Sequence, residues 1–267
     1  MKKSTFLAVA LAAVVFAACG GNKGAQTPDE NVTEKSFEQE QVEASIKMHL
    51  DSLASAIGQL KQLPIVKKDS EGLALTDAEK QVKPDYLLDP AVAENATTLA
   101  EKYRMLSALS VDKEIALLYD MPVDDYTKAI TKLAADINDP SFKAVEDAGN
   151  IFETSEALYN EMNANGRINY FWQLVATSLL EELYVTTQNT EKFISVFDDE
   201  SASNVTFRIV LLTDAVERLA KYDPEFEPVA EAVKPLEVLN AINVDQLKSQ
   251  LADAKEQIVT SRNKLVK

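Results

Sequence analysis

The sequence predicts an all-α protein, an irregular antiparallel multi-helix bundle of eight to ten helices, on three observations. Glycine is scarce: of seven in 267 residues, only Gly58, Gly72, Gly149 and Gly166 follow residue 36. A β domain built on tight hairpins needs many more. Apolar residues recur at alternating steps of three and four, which lines one side of a helix. Aspartate, threonine and proline fall where such helices would start and stop.

The elements follow in chain order. Ile46, Leu50, Leu53, Ile57 and Leu60 form the first stripe, widened by Val42 and Leu63, and Pro64 ends it. Residues 64–76 read as a connection, and Thr76 with Glu79 forms a capping box for a short helix. Val92, Ala96, Leu99, Tyr103 and Leu106 predict a second long helix, opened by Asp89-Pro90. Pro122 separates it from the stripe Tyr126, Ile130, Leu133 and Ile137. Asp139-Pro140 opens another helix, and Asn165-Gly166 reads as a helix C-cap. Val205, Ile209, Leu212, Val216 and Leu219 predict another helix, and Asp223-Pro224 opens the one that follows. Pro228 and Pro235 predict a kink or break in the stretch that follows. Leu247, Leu251, Ala254, Ile258 and Leu265 close the chain on a last stripe. Each stripe must be covered by another helix.

Residues 168–185, INYFWQLVATSLLEELYV, are apolar on nearly every side, which predicts a central helix. Its thin polar stripe is Gln173, Thr177 and Glu181. The stripe either lines an internal ligand pocket together with Tyr170, Trp172 and Tyr184, or reaches the surface between two neighbours. Tyr170, Phe171 and Trp172, with Arg167 upstream, could also stack on a sugar, but adjacent aromatics in such a helix cannot all face solvent.

Composition excludes several chemistries. His49 is the only histidine and Cys19 the only cysteine, so no Cys–His pair, disulfide, di-iron motif or ordinary zinc site can be built in the folded part. His49 reads as a boundary residue on the flank of the first stripe. No glycine-rich phosphate loop is present, and no cofactor or metal is expected. A net charge of −16 disfavours nucleic acid as a partner. The densest acids, Asp124-Asp125 and Asp198-Asp199-Glu200, fall at helix ends without EF-hand spacing.

The first residues read as a secretory leader: Lys2 and Lys3, then thirteen residues from Phe6 to Ala18 of which all are apolar. That run spans roughly 20 Å as a helix, short of the roughly 30 Å of a bilayer core. Ala17-Ala18-Cys19-Gly20 resembles the lipobox of bacterial lipoproteins, and Gly20-Gly21-Asn22-Lys23 is similar to the continuation in many lipoproteins of the Bacteroidetes. The resemblance covers only this segment. It implies cleavage before Cys19 and lipid on its sulfur, in the outer membrane. It also implies a periplasm-facing orientation, because no acids follow the cysteine, with surface exposure left open.

Residues 1–18 are thus expected to be a signal peptide, 19–36 a flexible tether and 37–267 a helical domain. The expected function is a non-catalytic binding or scaffolding role in the cell envelope, held by lipid at Cys19, toward an envelope protein or glycan. One alternative is a small-molecule or glycan-binding protein with a pocket beside residues 168–185. Another is a carboxylate-based glycan hydrolase, which needs two acids facing one cleft.

Overall fold

The chain folds into helices and turns alone: the computed structural model, which describes residues 41, 44–48, 53, 56, 63–66, 73–142 and 155–266, has no strand among them. The described helices are α1 (Asp77–Gln81), α2 (Leu99–Leu118), α3 (Asp124–Ile137), α4 (Ser155–Ala164), α5 (Ile168–Gln188), α6 (Thr190–Phe193), α7 (Asp199–Leu219), α8 (Glu227–Val233) and α9 (Val244–Leu265). Short 3-10 turns join several of them. The leader, the tether, Cys19 and His49 lie outside the described residues. Of the first stripe, Ile46 and Leu53 are helical and packed against the core, and Leu63 is buried.

Several helix starts coincide with side chains that take up the free N–H groups of a first turn, though α3, α5 and α8 start without one. Thr76 and Glu79 form the expected capping box of α1. Thr98 and Glu101 form another at α2. Asp198 accepts from the Ser201 N–H at α7, and Asn243 from the Gln246 N–H at α9. Gly166 stops α4 in the left-handed region, φ +68°, as the C-cap reading expected. The Arg167 N–H then closes back on the Met162 carbonyl at 2.7 Å.

Two expectations change in detail. Asp89, Asp139 and Asp223 do precede prolines that open helical turns, but all three turns are short 3-10 segments: Pro90–Asn95, Pro140–Phe142 and Pro224–Phe226. Asp89, Asp139 and Asp223 each bind the N–H two residues on, which closes a tight turn instead of starting a full helix. The stripe from Val92 to Leu106 is therefore broken. Ala96 and Thr98 are extended, and α2 begins only at Leu99. Pro228 sits in the first turn of α8, while the break falls at Lys234, where the chain tightens into a 3-10 turn, Lys234–Val238.

α5 is the axis. Every residue from Phe171 to Leu183 is buried, so the helix is enclosed on all sides. α2, α4, α7, α8 and α9 all pack on it. α7 and α9 run antiparallel to it, shown by Asn169 bonded to Asp223 and by Lys248 paired with Glu191. α2 runs parallel to it, since Arg104 meets Gln173 and Ser107 meets the Leu174 carbonyl in step. Intervening α3 and α4 make that direction possible. The buried apolar side chains from Leu63 to Val266 join in one core, to which the stripes on α3, α7 and α9 all contribute.

Gly166 gives a clean test of this geometry. A Cβ there would meet nothing within 4 Å, so only the backbone conformation opposes a side chain. Gly166→Ala is expected to cost about 1 kcal/mol, read as a lower urea midpoint with an unchanged slope.

Candidate functional site

Glu181 and Glu182 are adjacent on an enclosed helix, so their side chains leave it about 100° apart and each enters the interior. A buried carboxylate needs a cation and filled hydrogen bonds. Glu181 finds Arg262 of α9, whose Nε and Nη2 donate to its two oxygens at 2.8 Å each. The guanidinium lies over the Tyr184 ring, 4.5 Å from its centre. Burial works against the Arg262 charge, but the hydrogen bonds and charge of Glu181 outweigh it and hold the guanidinium more firmly protonated.

Asp112 of α2 joins this pair from the opposite side. It is 0 % exposed, and its Oδ2 accepts the Leu88 N–H at 2.7 Å. Its other oxygen meets no donor. Burial first, then the neighbouring Glu181 charge, push its carboxyl well above the ordinary range. Asp112 therefore favours its neutral form beside Glu181, whose two oxygens take the Arg262 guanidinium. The segment over the cluster is tied at three points: Leu88 N–H to Asp112, Leu88 C=O to the Tyr126 hydroxyl at 2.7 Å and Tyr86 C=O to the Tyr184 hydroxyl at 3.3 Å.

Glu182 has a separate partner. Arg208 of α7 donates to it at 2.9 Å, and the Ser178 hydroxyl adds a second bond at 3.2 Å. Burial still raises the Glu182 carboxyl, against the pull of Arg208. At the other end of the stripe Arg104 donates to Gln173 Oε1 at 2.6 Å.

These contacts place each candidate residue. Gln173, Thr177 and Glu181 share one buried face of α5, and none reaches the surface. Glu181 and Tyr184 converge on Arg262, and Gln173 converges on Arg104. Tyr170 is half-buried, stacked on Tyr103 with ring centres 4.6 Å apart. Trp172 lies elsewhere, buried edge-on against Phe171 and Tyr159 of α4. The six therefore do not form one pocket wall. Among the described residues no group of three or more His, Cys, Asp or Glu is placed to hold a metal ion.

Asp112, Arg104, Arg208 and Arg262 are missed by reading apolar stripes alone. Arg262 left a signal: it stands four residues after Ile258 and three before Leu265, at a stripe position that carries a charge. Arg208 likewise follows Val205 by three and precedes Leu212 by four. A charge on a core stripe is the sign of a buried partner. Comparison with protein-family models, with curated proteins and with solved structures finds no match for the chain.

The proton on Asp112 has a measurable consequence. Asparagine can accept the Leu88 N–H as the neutral acid does, so Asp112→Asn is expected to stay within about 1 kcal/mol of the native stability. Glu181→Gln strands Arg262 and is expected to cost about 3–5 kcal/mol. An acid whose folded pKa is raised binds its proton more tightly in the folded state. Its contribution is full below the unfolded value of about 4 and is lost as pH rises toward the folded one. Urea titrations across pH should show that decline in the native protein and a smaller one in Asp112→Asn, where the raised Glu182 remains.

Proposed function

We propose that the chain is a lipid-tethered, periplasm-facing protein of the cell envelope with a non-catalytic binding or scaffolding role. The observation that carries this reading is the run from Lys2 to Cys19, whose charge, apolar length and final residues match a lipoprotein leader. Multiple acyl chains on one cysteine would anchor it stably, where a single chain binds reversibly. Among the described residues no helix is long and apolar enough to cross a membrane, so the attachment we propose lies at Cys19.

The interior supports a structural use of the charged groups. Glu181, Glu182 and Asp112 are fully buried; the first two are committed to Arg262 and Arg208, and Asp112 takes the Leu88 N–H. The surface supports a binding role. The segment after α8 runs back along α7, with Lys234 at Glu217, Ala241 at Thr206 and Ile242 at Ser203. Phe207, Val210, Val238 and Ile242, on these two neighbouring segments, are all exposed apolar side chains of a kind that partners cover.

Cell fractionation of Cys19→Ser tests the tether. The variant is expected to leave the membrane fraction while keeping the native helical circular dichroism. Retention in the membrane would overturn the lipid reading. Turnover of a glycan or peptide by the purified protein, lost with one Asp or Glu, would overturn the non-catalytic role.

A further inference from the structure

We propose that the seam between α2 and α5 at Arg104 is a binding site for a small, singly charged carboxylate. Three arginines are buried among the described residues: Arg104, Arg208 and Arg262. Two of them meet a glutamate on α5, Arg208 at 2.9 Å and Arg262 at 2.8 Å. Arg104 meets only an amide oxygen, that of Gln173. It is 7 % exposed, and no described carboxylate lies within ion-pair distance of it.

A guanidinium stays charged at any pH a protein survives, so Arg104 cannot shed its charge as a lysine or acid could. Burial weakens its hold on the proton, and the more distant charges of Glu101 and Glu225 offset that only in part. The unmet hydrogen-bonding capacity around it has one sign. Arg104 Nε and Gln173 Nε2 are both buried donors without an acceptor. One helical turn further along the same stripe, the Thr177 hydroxyl is buried without a partner as well. A buried cation beside surplus donors is matched by an oxyanion, which accepts several N–H groups at once.

The surrounding charge selects the size of that anion. Glu101 is fixed nearby, its carboxylate held by the N–H groups of Thr97 and Thr98 at 2.8 and 2.9 Å. Glu225 stands exposed on the turn that follows α7, and its charge acts on half-buried Tyr170 too. A phosphate dianion would bring two charges to one guanidinium and face both acids. A carboxylate brings one. The chemistry fits a free acid, a peptide-borne carboxylate or a sugar acid alike. This site is separate from the exposed apolar side chains on α7 and goes beyond the partner-binding role proposed above, without depending on the tether.

The test is nitrogen-15 NMR of the whole folded domain. The Arg104 Nε–H resonance is identified by its loss in Arg104→Lys, and the Gln173 side-chain amide by its loss in Gln173→Ala. Acetate replacing chloride at constant ionic strength should move both resonances and saturate, with phosphate at least severalfold weaker. N-acetylalanine and glucuronate then tell a peptide-borne from a sugar-borne carboxylate by which saturates at lower concentration. Gln173→Glu supplies an internal carboxylate; it should raise the melting temperature and abolish the acetate response. No saturable shift of either resonance with acetate, or a lower melting temperature in Gln173→Glu, would overturn the proposal. Because the readout comes from the Arg104 seam, its failure leaves the Cys19 fractionation result untouched.

Discussion

The bond between Glu181 and Arg262 is the constraint around which the rest of this bundle is arranged. Glu181 stands on a helix enclosed on every side, so it has no route to water and must be matched inside. A buried ion pair adds little net stability compared with apolar packing, because desolvation consumes most of the Coulomb gain. Its effect lies in what it forbids. Any packing of α9 that moved Arg262 from Glu181 would leave two charges stranded in the core. Glu182 imposes the same condition on α7 through Arg208. Two neighbouring glutamates on one helix thus dictate which faces of α7 and α9 turn inward.

Asp112 extends the condition to α2. Burial drives its carboxyl toward the neutral form, so it stands beside Glu181 without adding a second charge for Arg262 to balance. The same carboxyl takes the Leu88 N–H, so the segment from Tyr86 to Leu88 is held against the bundle by the polar centre and not by apolar contact alone. Three helices and one loop meet at a group of four side chains. That accounts for an axis helix with a parallel neighbour on one side and antiparallel neighbours on the other. The contacts at Glu181 need particular faces, and the long path through α3 and α4 allows α2 to present its face in that direction.

The polar stripe of α5 carries two different solutions to one problem. At Glu181 the buried charges cancel. At Gln173 the partner of Arg104 is an amide, and one positive charge with surplus donors remains. The contrast within a single helix face directs attention to the Arg104 end as the place where the interior still has binding capacity, while the Glu181 end is closed by its own partners.

Much of the fold is legible in the sequence, because helices are local. The stripes on α7 and α9 bury the very residues that their three-and-four spacing selects, and that on α3 buries all but Ile130, which is half-buried. Thr76 with Glu79 and Gly166 act as their side chains require, since capping depends on groups within four residues. Spacing failed where two local preferences compete. From Val92 to Leu99 the apolar rhythm continues, but Asp89 and Pro90 close a 3-10 turn and Ala96 leaves helical geometry. The enclosure of 168–185 also follows from its composition. What its polar residues meet does not. Gln173 finds Arg104 across 69 positions and Glu181 finds Arg262 across 81, and nothing near either residue names its partner. By itself the sequence determined the helices, their caps and their buried faces, because those are set by torsions and by the period of apolar residues. Only the tertiary structure decided which charges cancel, which carboxyl keeps a proton and which arginine is left over, because those depend on burial and on contacts between distant parts of the chain.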